Sequence, residues 1–265
     1  MTQVSKNQLV FLKTQRKNRI IISTGRLLLF TLFLLSWELS SLFGWIDSFI
    51  FSSPSKVLLC FWSMVIDKSI FLHIGITLYE TLTSFVLVTI GSILFATLLW
   101  FSKRLLGILE PFLVVLNSLP KSALAPLLIV WLGATPTTIV VAGMSVALFG
   151  SILNMTTTFQ EVDPDKIKLI YTLRGTKLQA LTKVVIPSSI PSIVSNMKVN
   201  IGLCLVGVII GEFLAARNGL GYLIIYSSQV FKMDWLLMSI VILCVLAMGL
   251  YALINLVEKV YQKYF

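Results

Sequence analysis

The sequence predicts an all-α membrane protein, and three observations carry that prediction. Hydrophobic residues make up 57% of the chain and charged residues 12%, against about 25% charged in an average soluble domain. The mean hydropathy is +0.94, and apolar blocks recur at lengths near the ~20 residues that a helix needs to cross a bilayer. The blocks are continuous, without the alternation of barrel strands, so each satisfies its backbone polar groups internally as a helix.

The first 26 residues, MTQVSKNQLVFLKTQRKNRIIISTGR, are polar and basic for longer than a secretory n-region, and no small-x-small cleavage site follows. They are expected to form a cytoplasmic tail, residues 1–26, ahead of a transmembrane domain, residues 27–265. Six spans are predicted, at residues 27–46, 72–100, 105–132, 137–159, 192–213 and 235–257. Between the first two, SSPSKVLLCFWSMVIDKS is only moderately apolar, and Ser53 before Pro54 has the form of an N-cap with proline at the first helical position. A short interfacial helix is expected there. The third span carries Pro111, Pro120 and Pro126, each of which removes a backbone donor, so a kinked or broken passage is expected.

Basic residues orient the chain. With the N-terminus inside, the tail, Lys103, Arg104, the loop around Lys166 to Lys183, and Lys259 and Lys263 all lie in the cytoplasm. Only Lys56, Lys68, Arg217 and Lys232 lie outside. The positive-inside rule selects this topology, with both termini cytoplasmic. The net charge of +10 is thereby accounted for without a nucleic-acid partner, and the bilayer is the first partner implied. Cys60, Cys204 and Cys244 are widely spaced with no CxxC pair, and the single histidine, His73, has no local ligand partner. No metal site is expected.

Between the fourth and fifth spans lies VDPDKIKLIYTLRGTKLQALTKVVIPSSIP, within a loop of residues 160–190. Asp163 is placed to accept from free amides at a helix start, Pro164 suits the first helical position, and Asp165 favours the positive end of the dipole. Ile167, Ile170, Tyr171 and Arg174 follow i, i+3, i+4, i+7 spacing and share one face, Gly175 is expected to end the helix in the left-handed conformation, and Thr176 to cap a second helical stretch stopped by Pro187. An apolar stripe with no partner in its own neighbourhood either meets another protein or lies on the lipid surface and the span ends.

This loop resembles the cytoplasmic coupling loop of permease subunits of binding-protein-dependent ABC importers, whose pattern is close to VDPxxxEAAxxxGAxxxxxFxxVxLPxxxP. SSPSKVLLCFW, LEPFLVVLNSLPKSALAPLLIVWLG and GEFLAARNGLGYLIIYSSQVFKMD resemble further segments of the nitrate, sulfonate and taurine branch, in the family's order. The resemblance implies a type I importer permease fold in the cytoplasmic membrane of a prokaryote. It also implies ABC ATPase subunits as partners, a second copy or a related permease, and an extracytoplasmic solute-binding protein. ATP and magnesium would sit on the ATPase, since no GxxxxGK[ST] phosphate loop occurs here; this chain is expected to carry no cofactor and no catalytic residue. The coupling surface implied comprises Asp163, Ile167, Lys168, Ile170, Tyr171, Thr172, Leu173, Arg174, Gly175 and Thr176. Aligned on Pro187, the family's Glu-Ala-Ala falls on Lys168, Leu169 and Ile170, and its glycine on Arg174. Either a co-adapted ATPase or a second permease with the ordinary loop would accommodate the reversed charge at Lys168.

For the translocation path, polar residues at membrane depth are the candidates: Asn117, Lys121, Asn154, Asn200 and Glu212. Each has a structural alternative: Glu212 paired with Arg217 in water, Lys121 snorkelling, and the asparagines bridging helices. The solute is expected to be small, an anion such as a sulfonate or a vitamin precursor. Two other classes compete. An ATP-independent secondary transporter or channel would show inverted repeats with matching broken helices, whereas here only the third span is proline-broken. A structural membrane subunit would account for the degenerate loop.

Overall fold

The computed structural model describes residues 6–264, which form helices α1 (Lys6–Leu42), α2 (Ser48–Phe51), α3 (Pro54–Ile66), α4 (Ser69–Phe101), α5 (Lys103–Ser118), α6 (Lys121–Leu132), α7 (Pro136–Gln160), α8 (Pro164–Thr172), α9 (Lys177–Ala180), α10 (Ile186–Ala215), α11 (Leu220–Gln229) and α12 (Met233–Tyr264). No strand occurs among the described residues. Five helical stretches among the described residues are long and apolar enough to cross a bilayer, and α5 and α6 together, bent by 96° at their junction, are apolar enough to form a broken span or a re-entrant loop.

The bend has a local cause. Pro120 forces Leu119 out of the helical region, to ψ 139°, and its missing N–H leaves the Leu116 carbonyl without its i+4 donor. The Lys121 ammonium donates to that carbonyl. Pro111 and Pro126 lie within α5 and α6 without ending either.

The bundle is centred on α7 and α10, which pack on each other and on α4. Small residues set this closeness: a Cβ added at Gly207 would stand 2.8 Å from the Gly143 backbone, and one at Gly211 3.1 Å from that of Ile139. The Gly207-x-x-x-Gly211 pair therefore seats α10 against α7, as small-residue motifs do between membrane helices. Helix α1 stands at the periphery with its apolar surface exposed. It is tied to α3 where the Glu38 carboxylate accepts from the amide and hydroxyl of Ser55, at 3.0 and 2.7 Å. Helix α3 starts as expected, with Ser53 accepting from the Lys56 amide ahead of Pro54 at the first position. Lys198 of α10 pairs with Glu258 of α12, which neutralises a lysine at membrane depth.

Helix α1 runs without interruption from Lys6 to Leu42, across the expected boundary at residue 26. One expectation is corrected. Pro187 does not stop a helix: α9, a π-helical turn at Leu181–Val185 and α10 form one apolar stretch, Lys177–Ala215, that begins well before residue 192. In the π turn the Ile186 amide reaches back to the Leu181 carbonyl, and this looser ladder admits Pro187 next to it without ending the helix.

Candidate functional site

Two ends of the bundle carry side chains that need explanation. At the first, α8 projects from the junction of α7 and α10. Asp163 caps it by accepting from the Asp165 amide at 2.9 Å, and Pro164 occupies its first turn. Its C-terminus closes with the Gly175 amide on the Ile170 carbonyl at 2.8 Å and the Arg174 amide on that of Tyr171 at 3.0 Å, the paired bonds of a Schellman ending. The left-handed position is Arg174, with φ 58°, so the expectation that Gly175 would take it is corrected. Gly175 is needed for a different reason: a Cβ there would lie 2.5 Å from the Ile170 side chain and 2.8 Å from its carbonyl. Thr176 then caps α9 in a reciprocal capping box with Gln179.

The loop is fixed to the bundle at two points. Ile167 packs into a cluster of Phe159, Leu181 and Val185. Lys177 lies over the rings of Trp100 and Phe101 and donates to the Phe101 carbonyl at 2.8 Å, so a cation terminates α4 where its dipole is negative. The expected stripe therefore divides. Ile167 and Ile170 turn inward, and Tyr171 stays exposed beside Leu169 and Leu173, the last 73% accessible. Helix α8 buries none of its residues. Thr172 donates to the Leu169 carbonyl, and Lys168 pairs with Asp165 at 2.9 Å on the open surface, where such a pair stabilises by at most about 1 kcal/mol.

At the other end, Glu212 is fully buried and accepts from the Thr77 hydroxyl at 2.6 Å and the Gly221 amide at 2.5 Å. Thr77 in turn accepts from the Leu220 amide at 2.8 Å, and His73 Nδ1 accepts from the Gly219 amide at 3.0 Å. Three side chains of α4 and α10 thus satisfy the free amides that open α11. The backbone can come this close only because residues 219 and 221 are glycine: a Cβ at either would stand 2.5 or 2.8 Å from the Glu212 carboxyl. Glu212 makes no ion pair with Arg217 and is not in water, which removes that alternative. The Glu80 carboxyl faces that of Glu212 across the α4 and α10 contact. The roles of His73 and Thr77 escaped sequence reasoning because they reach the start of α11 from 146 and 143 positions away, but the paired glycines at 219 and 221 signalled a close approach of backbone to something.

Residues 88–265 match the family model described as the binding-protein-dependent transport system inner membrane component. The chain belongs to that family. Among relatives of this permease are a probable ABC transporter permease protein of Haemophilus influenzae, 25% identical over 85% of this chain and 91% of the relative, and the putative aliphatic sulfonates transport permease protein SsuC of Bacillus subtilis, 24% identical over 86% and 83%. The fold resembles that of the MetNI methionine ABC transporter solved in inward-facing conformations, with a TM-score of 0.61 over 76% of this chain and 97% of that one, at 14% identity. The chain is a membrane permease subunit of a binding-protein-dependent ABC importer, a transport subunit.

Within this permease the remaining polar candidates divide by environment. Asn200 and Asn196 both donate to the Ser151 hydroxyl at 2.8 Å, and Asn154 reaches Asn196 at 3.4 Å. They form a polar seam between α7 and α10. Asn154 and Asn196 also line an open cavity of about 290 Å³ with Thr158, Glu161, Ser192 and Ser195. Asn200 is buried below it as a helix bridge. Asn117 of α5 fits against Gly150 of α7, 3.0 Å from where a Cβ would be. Lys121 is committed to the Leu116 carbonyl and lies over the Phe149 ring.

Proposed function

We propose that α8 is the surface on which the ATPase subunit docks, and that this chain, paired with a second permease, encloses the path of a small acid of the aliphatic sulfonate class. The observation that carries the docking reading is the outward face of Leu169, Tyr171 and Leu173, held rigidly by Ile167 and Lys177 yet covered by nothing in this chain. The positive-inside distribution supports a cytoplasmic location for this end and for the termini, with the α11 end outside, where the binding protein would deliver the solute. ATP shifts the importer between its two openings only through a surface whose contacts differ between them. A displacement of α8 would be passed to α4 through Lys177 and to α7 and α10 through Ile167, with the π turn of residues 181–185 as the flexible joint. The cavity at Asn154 and Asn196 would then be the inner part of the path. The substrate class follows the name of the sulfonate relative.

Co-purification tests this reading. Tagged wild-type chain, extracted in mild detergent from a host expressing the whole transporter, should bring down the ATP-binding subunit, and Tyr171→Asp should lose it while remaining monodisperse. Retention of the ATPase by Tyr171→Asp and by Leu173→Asp would place the docking surface elsewhere.

A further inference from the structure

The open face of α8 carries a charge pattern as well as an apolar one. Lys166, Leu169 and Leu173 stand at i, i+3 and i+7, so they form one stripe along the helix, and all three are exposed. Ile167, on the other side, packs into the Phe159 cluster, so the stripe points away from the bundle. Arg174 follows Leu173 directly, exposed, in the left-handed position that closes the helix. The apolar stripe therefore runs from one cation to another, over roughly 12 Å of helix. Neither cation is matched within the chain. Asp163 is engaged by the Asp165 amide and Asp165 by Lys168, and neither Lys166 nor Arg174 makes an ion pair among the described residues. Orientation in the membrane requires only that basic residues lie on the cytoplasmic side; it does not require them at the two ends of an apolar stripe turned from the bundle. Lys177 shows the contrast: in the same loop it is folded back over Trp100 and Phe101 and bonded to the Phe101 carbonyl.

We propose that the groove of the ATPase subunit that receives α8 has an acidic rim, with an apolar floor for Leu169 and Leu173 and a carboxylate at each end, one for Lys166 and one for Arg174. The proposal rests on the docking reading of α8 and adds the chemistry of the partner. Burial of the two leucines supplies affinity, while the charges at the rim set the association rate, the register and the choice of partner. Arg174 suits its end because a guanidinium engages a carboxylate through two parallel bonds. An ATPase with basic groups at these places is refused by like-charge repulsion, so the loop selects its ATPase as well as docking it.

The test is carbodiimide coupling of the complex purified from a host expressing the whole transporter, with the joined peptides located by mass spectrometry. Carbodiimide activates a carboxylate, and a lysine amine in contact with it displaces the reagent as its urea and leaves an amide. An amide between Lys166 and an Asp or Glu of the ATPase is expected. Lys166→Arg, which keeps the charge but offers no such amine, should lose the link and retain the ATPase. Lys166→Glu combined with Arg174→Glu should weaken ATPase retention roughly tenfold. Lys166→Gln combined with Arg174→Gly removes both charges without straining the loop, and should weaken retention less while abolishing most of its dependence on salt. A complex that retains its ATPase but joins Lys166 to no ATPase carboxylate would overturn the acidic rim and leave the docking reading standing. So would full retention by the charge-reversed pair when Leu173→Asp loses the ATPase. If the neutralised pair keeps the ATPase and loses only co-purifying anionic phospholipid, the cations serve lipid headgroups and the proposal falls. Retention of the ATPase by Leu173→Asp and Tyr171→Asp would instead strike the docking reading itself.

Discussion

The α11 end and the α8 end solve the same problem, how to hold a short helix against a bundle, by opposite means. Helix α11 is anchored by distant side chains: its first amides are bound by His73, Thr77 and Glu212, and it buries Leu220, Gly221, Leu223 and Ser227. Helix α8 is closed locally, with Asp163 at one end and the Gly175 and Arg174 amides at the other, is fixed to the bundle through Ile167 and Lys177, and fully buries none of its residues. The first arrangement is complete in itself. The second is ordered at both ends and left open along an apolar face, which is what a surface built to be finished by another subunit requires. A long-range polar anchor resists movement, whereas local caps keep a helix intact while it moves as a unit.

The largest effect separating the two ends is expected from Glu212→Ala. It leaves the Thr77 hydroxyl and the Gly221 amide buried without an acceptor, which should cost roughly 3 kcal/mol and lower the apparent melting temperature of the detergent-solubilised protein by several degrees. An unchanged melting temperature would mean that α11 is held by its apolar contacts alone. Gly221→Ala comes next, at about 2 kcal/mol, because the new methyl meets the Glu212 carboxyl at 2.8 Å and the Ile209 carbonyl at 3.1 Å; scanning fluorimetry reads it in the same way. At the α8 end the sign reverses. Arg174→Gly removes a side chain from the left-handed region and should stabilise the loop by about 1 kcal/mol, seen as slower amide exchange of Gly175. Leu173→Ser should shift stability least, within about 0.5 kcal/mol for an exposed position, yet abolish retention of the ATPase.

The difference between the ends also decides what was legible beforehand. The α8 loop is local chemistry: the Asp163 cap, Pro164 and the Thr176 cap lie within a few residues of the groups they serve, and each appears where the sequence placed it. The departures there came from packing. Ile167 was drawn into the Phe159 cluster, which rotated the exposed face toward Leu169 and Leu173, and the helix ended one residue early, at Arg174, where the family pattern carries its glycine. Spans were legible from hydropathy. The bend between α5 and α6 was legible from Pro120, while the bond from Lys121 to the Leu116 carbonyl that this proline leaves without a donor was not. The α11 end was not legible, because its contacts join residues far apart in sequence. Glu212 stood out by chemistry, while Thr77, which donates to it, and His73, which accepts from the Gly219 amide, resembled isolated polar residues in a span until the fold brought them to the start of α11.

The most direct measurement is site-specific photocrosslinking in native membranes. One probe replaces Leu173 on α8 and the other replaces Trp45, which is 79% exposed near the opposite end of the bundle. A crosslink to the ATP-binding subunit from position 173 and none from position 45 is the predicted result. An ATPase crosslink from position 45, or its absence at position 173 in a complex that still hydrolyses ATP, would contradict the assignment of α8 as the coupling surface.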